Sequence, residues 1–334
     1  MQPSIKASII GVTGYTGLEL LRLLLAHPHI EIGHLTSRQH KDTDIGDVYP
    51  HLGHLDLKIT NTDHNAVSED SDVVFLCLPH KTAQDVVADL HGKVKVIDLS
   101  ADYRLDDVET YKKYYTDHNH PNLLKEVVYG LPEIFGTNKI ATASTVANPG
   151  CFALLGQMLL YPFKGLIESA NIFAVTGSSG AGKSPGDGTH HPIRSHNMQS
   201  YNINAHRHIP EITRAAEIAE CQLNFVPTSG SFVRGIFAQG FVTLKADIEP
   251  LDLIEQAYAE HIFVRVQKKV SLANIVGSNF VDLSAQKGEA NTILVQGAID
   301  NLVKGAAGSA VQNMNLMFDL DEGEGLLELG PLYP

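Results

Sequence analysis

The stretch ASIIGVTGYTGLELLRLLLAH, residues 7–27, decides the fold of the first half of this chain. It opens with a short apolar run that is typical of a buried strand, and the glycine-rich segment TGYTG follows at once. Leucines from Leu18 to Leu25 then recur at helical spacing until Pro28 ends the helix. Because a second strand candidate, EIGHLT, occupies residues 31–36, the segment predicts a β-turn-α-β unit of about 30 residues.

Three glycines, Gly11, Gly14 and Gly17, lie between this strand and this helix with the spacing G-x-x-G-x-x-G. Glycines there allow a tight turn and the close approach of a pyrophosphate, whose charge then meets the helix N-terminus. The segment therefore predicts dinucleotide binding, the alternative being a purely structural glycine turn. The other loop residues predicted to contact the dinucleotide are Thr13, Tyr15 and Thr16.

The residues after the second strand candidate indicate which dinucleotide is bound. Proteins that prefer NAD carry Asp or Glu there to hold the ribose hydroxyls, whereas this chain has Ser37 and Arg38. An arginine with neighbouring hydroxyls accommodates a 2′-phosphate, so we expect NADP(H) as the cofactor. The alternative is that Arg38 is an ordinary solvated side chain.

The length of the chain predicts two domains, because it has 334 residues and a single core stops growing at about 250–300. We expect an α/β protein whose residues 1–150 form a dinucleotide-binding domain of the Rossmann type with a doubly wound parallel sheet. The apolar runs at 72–78 and 94–99 lack alternation, as strands covered on both faces do. A C-terminal helical segment, residues 301–334, is expected to complete this domain.

Residues 151–300 are predicted to form an α+β catalytic and dimerisation domain. Its strand candidates are far apart in the chain, which favours a mixed or antiparallel sheet, and exposed sheet edges favour a dimer or tetramer. These strand candidates span residues 171–176, 236–244 and 293–298.

Two connecting segments have a distinctive composition. Residues 106–126 are polar and aromatic and are predicted to form a surface excursion. The last helix candidate, residues 301–317, carries Gly305 and Gly308, which permit close packing.

The charge of the chain disfavours several classes of partner. Its 25 basic and 38 acidic side chains give a net charge of −13, so we expect no binding to nucleic acid or to an anionic membrane. No apolar run reaches the about 20 residues of a membrane helix, and the N-terminus lacks a leader pattern. We therefore expect a cytoplasmic protein that acts on a small molecule.

Among the three cysteines, Cys151 is the candidate nucleophile. In ANPGCFALLGQMLL it precedes apolar residues at helical spacing, so its thiol lies at a helix start. The helix dipole and free N–H groups there favour the reactive thiolate. Cys77 lies in an apolar strand candidate, where a free cysteine is usually inert packing, and Cys221 has no informative context. The alternative for Cys151 is a structural role.

A histidine-rich segment offers the proton donor and acceptor that such a thiolate needs. In AHRHIPEI, His206 and His208 lie close to Glu211, and a carboxylate beside an imidazole fixes its tautomer and raises its basicity. The sequence does not rank the two histidines. Polar loop histidines and a metal site are alternatives, but no Cys or acidic residue joins the histidines at familiar ligand spacing, so we expect no metal.

Taken together, these motifs resemble those of the N-acetyl-γ-glutamyl-phosphate reductases of arginine biosynthesis, within the wider superfamily of aspartate-semialdehyde and glyceraldehyde-3-phosphate dehydrogenases. The resemblance covers essentially the full length of the chain. The segments that carry it are GVTGYTGLELLRLL, LSADYR, YGLPE, NPGCF, SGAGK, HRHIPEI and NLVKGAAGSAVQNMNLM.

This resemblance implies an NADPH-dependent reduction of N-acetyl-glutamyl 5-phosphate to N-acetyl-glutamate 5-semialdehyde and phosphate. Cys151 would form a thioester with release of phosphate, NADPH would deliver a hydride, and His208, with His206 as its rival, would supply the proton. Arg104 and Glu211 would assist. A sister reductase for a carrier-bound aminoadipyl phosphate or for aspartyl phosphate is the alternative enzyme, and an NADPH-binding redox sensor is the alternative without catalysis.

One further motif, GSSGAGKS at residues 177–184, matches the phosphate-loop pattern G-x-x-x-x-G-K-S/T. A phosphate loop runs directly into a helix, whereas the prolines and glycines of PGDGTHHP forbid that helix here, so we expect no ATPase. The resemblance implies a glycine-rich loop on the substrate side, where relatives often carry Arg. Lys183 would contact the substrate anion there without the bidentate fork of Arg.

Overall fold

The computed structural model describes residues 4–328, which form two compact units. One unit combines the described residues through Pro149 with Ala307–Leu326, and the other contains Gly150–Ala306. The predicted domain ranges also include residues 1–3 and 329–334, which lie outside the described residues. None of the helices in residues 4–328 combines the length and apolar character that a membrane crossing needs.

The first unit contains a largely parallel sheet. Its strands are β1 (Ile5–Ile10), β2 (Ile30–Thr36), β3 (Thr43–Asp44), β4 (Lys58–Thr60), β5 (Val73–Leu76), β6 (Lys95–Asp98), β7 (Val128–Tyr129) and β8 (Thr145–Ala147). Their spatial order is β3-β4-β2-β1-β5-β6-β8-β7, and among these strands only the β3–β4 pair is antiparallel. The strands predicted from apolar runs correspond to β1, β2, β5 and β6.

The strand order of this sheet reverses between β1 and β5, which are parallel neighbours. In open α/β sheets, ligands bind outside the carboxyl ends of the strands at such a point. The glycine-rich loop follows β1 and leads into the first helix at this position. The helices of this part of the chain are α1 (Tyr15–Ala26), α2 (Ile45–Val48), α3 (His64–Glu69), α4 (Ala83–Leu90), α5 (Val108–Tyr114), α6 (Pro132–Phe135) and α7 (Asn138–Ala141).

The second unit contains a mixed sheet, as the scattered strand candidates predicted. Its strands are β9 (Ile167–Thr176), β10 (Gln199–Ser200), β11 (Leu223–Ser229), β12 (Ile236–Leu244), β13 (Val264–Val266), β14 (Val281–Lys287) and β15 (Thr292–Ile299). They are ordered β10-β11-β9-β12-β15-β14-β13, with β11–β9 and β14–β13 parallel and the other pairs antiparallel. Together the two sheets confirm the predicted fold class.

The two faces of the mixed sheet differ. Residues of β9 and β12 alternate between buried and less buried positions, as a sheet with one covered face requires. On the less buried face, Phe173 and Phe241 are 50% and 56% exposed. The remaining helices are α8 (Cys151–Leu160), α9 (His191–Arg194), α10 (Ile209–Ala216), α11 (Pro250–Tyr258) and α12 (Gly308–Met317), the last of which belongs to the first unit.

Most residues of the segment 106–126 are exposed, in line with the expected surface excursion, but part of the segment is internal. The segment forms α5 and a 3-10 helix at Pro121–Lys125, and both Tyr111 and Leu124 are buried. The Tyr111 hydroxyl donates to Asp102 Oδ1 at 2.9 Å and accepts from Gln84 Nε2 at 2.9 Å. Hydrogen bonds satisfy the Tyr111 hydroxyl inside the protein, so this polar group is buried within a segment that is mainly exposed.

The last predicted helix also differs from the expectation. Its first part, Val303–Ala307, is a π-helix, and a regular α-helix begins only at Gly308. Isolated π-helical turns are uncommon, and many of those that do occur lie at functional sites.

Candidate active site

The glycine-rich loop fits a phosphate group for three separate reasons. Gly11 has a φ of +95°, and a side chain there would lie 2.5 Å from the carbonyl oxygen of Cys77. A Cβ on Gly17 would lie 2.5 Å from the Gly11 carbonyl oxygen, so this glycine lets α1 pack on the loop. Gly14 precedes α1 as its N-cap and has no neighbour closer than 3.9 Å to a Cβ position. There is therefore open space beside the helix N-cap, which suits the approach of a pyrophosphate.

The residues predicted to select the cofactor lie beside this loop. Gly11 N–H donates to the carbonyl of Thr36 at 3.0 Å, and the hydroxyls of Thr13 and Ser37 are 3.1 Å apart. Ser37 is buried and Arg38 is exposed. On the loop itself, Tyr15 is 42% exposed and Thr16 is half-buried. The structure thus brings the predicted cofactor-binding residues of the first unit together at the carboxyl edge of its sheet.

Arg104 is buried and its guanidinium is directed at the main chain. It donates through Nε to the carbonyl of Asn148 at 2.7 Å and through Nη2 to the carbonyl of Leu99 at 2.9 Å. Asn148 N–H donates to the Asp98 carbonyl at 2.8 Å, and its side-chain Oδ1 accepts from Asn313 Nδ2 at 3.0 Å. The segment that leads to Cys151 is therefore held by charge-assisted and amide hydrogen bonds.

Cys151 is the first residue of α8, as predicted, and it is half-buried. Gly150 is the N-cap residue of α8 and has no side chain that could cap the helix. The electrostatic field at the helix start therefore comes from main-chain groups and from neighbouring residues. Every other residue of α8 is buried, because the helix is almost wholly apolar; its one other polar side chain, Gln157, donates through Nε2 to the Ala153 carbonyl at 3.1 Å. By contrast, burial and the nearby Asp98 charge raise the pKa of the Cys77 thiol, which keeps Cys77 in its unreactive form.

Glu211 lies in the first turn of α10 and contacts the start of α8. Its Oε2 accepts the Gly150 N–H at 3.3 Å, and its side chain is buried. The two helices can pack closely because Gly156 of α8 has no side chain. A Cβ there would lie only 2.7 Å from the Ile212 side chain of α10. The PEI segment therefore brings a carboxylate to the N-terminus of the helix that carries Cys151.

His206 and His208 are both buried, and their ring centroids are 4.7 Å apart. His208 N–H donates to His206 Nδ1 at 3.2 Å, which requires a lone pair on that nitrogen. Burial and the neighbouring Arg207 charge lower the pKa of His206 to about 4. The ring of Phe152, the residue after Cys151, is 5.5 Å from the ring of His206 and 6.4 Å from that of His208.

The depressed pKa of His206 predicts a pH-dependent stability. The unfolded chain binds a proton at this group near pH 6.5 and the folded chain only near pH 4, so stability falls as the pH drops through this range. Between pH 6.5 and pH 4, we expect the free energy of unfolding of wild type to fall by about 3 kcal/mol relative to that of His206→Gln. Urea unfolding of both proteins from pH 4 to pH 7 measures it.

A difference between variants is needed because Asp98 acts in the opposite direction. Burial raises the pKa of Asp98 to about 7, so its contribution to stability falls as the pH rises through the same range. Parallel stability curves for wild type and His206→Gln would contradict the assignment of a neutral His206.

Sequence reasoning missed Tyr201 as a candidate. Its ring is 5.8 Å from the ring of His206, and burial, with the Cys151 charge as a second cause, raises its pKa to about 12. Arg194 and Arg207 act on the same hydroxyl in the opposite direction. Tyr201 precedes His206 by only five residues in the sequence, but no motif distinguishes it from other tyrosines.

Lys183, the predicted contact for the substrate anion, is exposed. Lys183 follows the 3-10 helix Ser178–Ala181, and only the four-residue α9 and a 3-10 turn lie in the segment after it. His190, His191 and His196 are exposed, unlike His206 and His208. Residues 4–328 contain no group of three or more His, Cys, Asp or Glu side chains that could hold a metal ion.

Both parts of the chain match known family models. Residues 6–143 match the semialdehyde dehydrogenase NAD binding domain, and residues 151–301 match the semialdehyde dehydrogenase dimerisation domain. Among solved structures, aspartate semialdehyde dehydrogenase II from Vibrio cholerae, determined as a complex with ASA, is similar with a TM-score of 0.69 and 15% identity. That similarity covers 95% of this chain and 99% of the other, and it concerns the fold.

Curated relatives are more similar in sequence. The N-acetyl-gamma-glutamyl-phosphate reductase of Methanosphaera stadtmanae is 41% identical, with 99% of both chains covered. A Thermococcus kodakarensis protein, provisionally named LysW-L-2-aminoadipate/LysW-L-glutamate phosphate reductase, is 39% identical, again with 99% of both chains covered. These relatives confirm the predicted resemblance. Because family models match most of the chain and relatives match nearly all of it, the chain belongs to the semialdehyde dehydrogenase family and is an oxidoreductase with an NAD binding domain.

Proposed function

We propose that the protein reduces N-acetyl-glutamyl 5-phosphate to N-acetyl-glutamate 5-semialdehyde and phosphate, with NADPH as the hydride donor, in arginine biosynthesis. The observation that carries this proposal is Cys151 at the N-terminus of α8, with a buried carboxylate at the same helix start and two buried histidines near the ring of Phe152, the second residue of the helix. A thiolate at a helix N-terminus, with an acid/base group beside it, suits acyl transfer.

The proposed reaction uses the cysteine as a temporary acyl carrier. The Cys151 thiolate attacks the acyl carbon, a C–S bond forms, and the bond between that carbon and the phosphate oxygen breaks. Gly11, Gly14 and Gly17 would hold the nicotinamide cofactor by its pyrophosphate, and the chemistry that this cofactor would supply is the hydride for the thioester carbon. The C–S bond then breaks, which releases the aldehyde and regenerates the thiolate. The one proton that the reaction consumes ends on the phosphate.

We assign the acid/base role to His208 and a supporting role to His206. His206 stays neutral in the working pH range, and its Nδ1 is occupied by the His208 N–H, so it is poorly suited to exchange protons. It is well suited to hold the backbone of His208 in place. In each half of the reaction, His208 would donate a proton to the carbonyl oxygen as negative charge develops there, and it would take the proton back when the carbonyl re-forms.

Glu211 and Arg104 are proposed to position the nucleophile. Glu211 accepts the Gly150 N–H, and Arg104 holds the carbonyl of Asn148, so each acts on the segment immediately before Cys151. Both interactions are hydrogen bonds between a charged side chain and a main-chain group, and such hydrogen bonds are stronger than those between neutral groups. Lys183 remains a proposed contact for the substrate anion, supported by its charge and by its position in the second glycine-rich segment, residues 177–184.

The proposed preference for NADPH rests on Ser37 and Arg38 at the end of β2. We expect Arg38→Ala to raise the KM for NADPH by about ten- to a hundredfold, because hydrogen bonds to charged groups contribute about 1.5–3 kcal/mol. The KM for NADH should change little, since NADH has no 2′-phosphate. Steady-state kinetics with both cofactors measure this, and an equal rise for the two would contradict the assignment.

We also propose that the protein forms a homo-oligomer through the less buried face of its mixed sheet. Phe173 and Phe241 lie on adjacent strands, where Phe173 pairs with Gln239, two residues before Phe241. We expect the double substitution Phe173→Asp and Phe241→Asp to shift the protein to monomers, because charges on an apolar face oppose its burial. Light scattering after size-exclusion chromatography measures this. An unchanged mass would place the interface elsewhere.

A carrier-bound substrate is the second candidate, because the Thermococcus kodakarensis relative is nearly as similar as the reductase relative. The reverse reaction distinguishes the two: NADP reduction is followed with phosphate and either N-acetylglutamate semialdehyde or the carrier-bound semialdehyde. We expect turnover with the free N-acetyl compound and its loss after treatment with a thiol alkylating agent. Turnover with the carrier-bound compound alone would favour the sister reductase.

The alternatives without this chemistry have their own outcomes. Retention of function in Cys151→Ser would favour an NADPH-binding redox sensor. ATP hydrolysis that depends on Lys183 would favour the phosphate-loop interpretation. Either result would overturn the proposed reductase.

A further inference from the structure

The π-helical turn Val303–Ala307 follows β15 and lies against the start of α8. Gly305 N–H donates to the carbonyl of Asp300 at 2.8 Å, a hydrogen bond with the five-residue separation that is typical of a π-helix. The turn therefore departs from the α-helix pattern at the point where Gly305 meets its neighbours. One of these neighbours is Cys151, the residue that the proposed reaction uses as its nucleophile.

The base of this turn is held by the carboxylate of Asp300, which is fully buried. Asp300 Oδ1 accepts the N–H groups of Leu302 at 2.8 Å and Val303 at 3.0 Å. Its Oδ2 accepts the Gly277 N–H at 2.7 Å, and the Arg234 guanidinium forms an ion pair with it at 3.1 Å. Such a connected buried carboxylate leaves the turn little freedom to shift.

Two further side chains, both N-terminal to Gly305, also anchor this part of the chain. Asn301 Oδ1 accepts the Gly235 N–H at 2.7 Å, and Asn301 Nδ2 donates to Ser179 Oγ at 2.9 Å. Lys304 is fully buried, with its Nζ 5.3 Å from the centre of the Phe263 ring. The main chain at Gly305 is therefore anchored by residues from several elements of the second unit.

Gly305 is pressed directly against Cys151. A Cβ on Gly305 would lie 2.7 Å from Cys151 Cβ, closer than real Cβ atoms approach other atoms, and 3.3 Å from Cys151 Cα, which is a tight contact. The backbone of Gly305 does not adopt the left-handed conformation that favours glycine. Its conformation would accept alanine, which is the better residue in a helix. The position therefore excludes a side chain because of its neighbours, above all Cys151.

We propose that Gly305 is a positioning residue that seats the Cys151 side chain at the helix N-terminus, an inference that rests on the proposed role of Cys151 as nucleophile. The anchored turn supplies a fixed surface against Cys151 Cα and Cβ. The direction of the Cα–Cβ bond, and with it the reach of the sulfur, is then set from two sides. One side is α8 itself and the other is Gly305. A misplacement of about 1 Å is enough to lower a rate by about a hundredfold.

The first test is Gly305→Ala. We expect kcat to fall by about a hundredfold with little change in KM, because the displaced thiol still permits substrate binding. The rate of Cys151 alkylation by iodoacetamide should fall too, and the midpoint of its pH profile should rise as the sulfur leaves the helix N-terminus. The matched control is Gly297→Ala, whose Cβ would lie 2.8 Å from Leu155, further along the same helix. It should lower Tm and leave the alkylation profile unchanged.

The second test is a stability cycle that does not depend on turnover. In a Cys151→Ala background the contact with Cβ remains, so Gly305→Ala should lower Tm as much as it does in wild type. In a Cys151→Gly background that Cβ is absent, and most of the loss in Tm should disappear. Equal losses in the two backgrounds, or a wild-type alkylation profile in Gly305→Ala, would overturn the proposal. An active Cys151→Ser enzyme would instead refute the proposed function, while the cycle would still report the contact.

Discussion

Cys151→Ser is expected to lower kcat by about 10⁴-fold or more, since the loss of a nucleophile removes the covalent route altogether. A serine hydroxyl at the same helix start is not ionised at neutral pH, so the helix dipole has no anion to stabilise. The measurement is steady-state reduction of the acyl phosphate, followed by NADPH absorbance. A burst of phosphate release in wild type, absent in Cys151→Ser, would report the thioester directly.

The control for this prediction is cofactor binding. The glycine-rich loop belongs to the first unit and Cys151 to the second, so Cys151→Ser should bind NADPH with wild-type affinity in a fluorescence titration. Wild-type turnover by the serine variant would contradict both the nucleophile assignment and the thioester.

His208→Gln is expected to lower kcat/KM by about 10²- to 10⁴-fold, the usual contribution of a general acid/base. His206→Gln should cost about tenfold or less, because it removes one hydrogen bond to the main chain of His208 and no proton-transfer group. The decisive readout is the pH profile. His208→Gln should lose the limb that belongs to the acid/base group, whereas His206→Gln should keep it.

A reversed pair of profiles would assign the acid/base role to His206. Glutamine is the matched replacement at both positions because it keeps polar atoms and similar volume without titrating. Circular dichroism of both variants at the assay pH separates loss of catalysis from loss of folding.

The fold class could be predicted from the sequence because its signals are local. The glycine spacing in residues 11–17, the leucine periodicity of α1 and the non-alternating runs of β5 and β6 each depend on residues that are neighbours in the chain. What composition could not indicate is which single residues of the polar, mainly exposed segment 106–126 are buried. Tyr111 and its partners are polar and yet internal, because hydrogen bonds to Asp102 and Gln84 satisfy them.

The candidate site could be predicted in part. Cys151 and the HRHIPEI segment carry residue types that point to their chemistry, so a reader of the sequence finds them. Tyr201 and Gly305 carry no such signal, since neither a tyrosine in a loop nor a glycine in a helix indicates a site. Gly305 was noted for close packing, but the sequence could not say that its neighbour is Cys151.

The sequence by itself determined the semialdehyde dehydrogenase family, the dinucleotide-binding loop and the set of candidate side chains, because each follows from residue types at short spacings. Only the tertiary structure decided which histidine stays neutral, which carboxylate meets the start of α8 and what lies against Cys151. The physical reason is that burial and hydrogen bonding set the pKa of His206, and contacts between residues 151 and 305 depend on packing that no local pattern records.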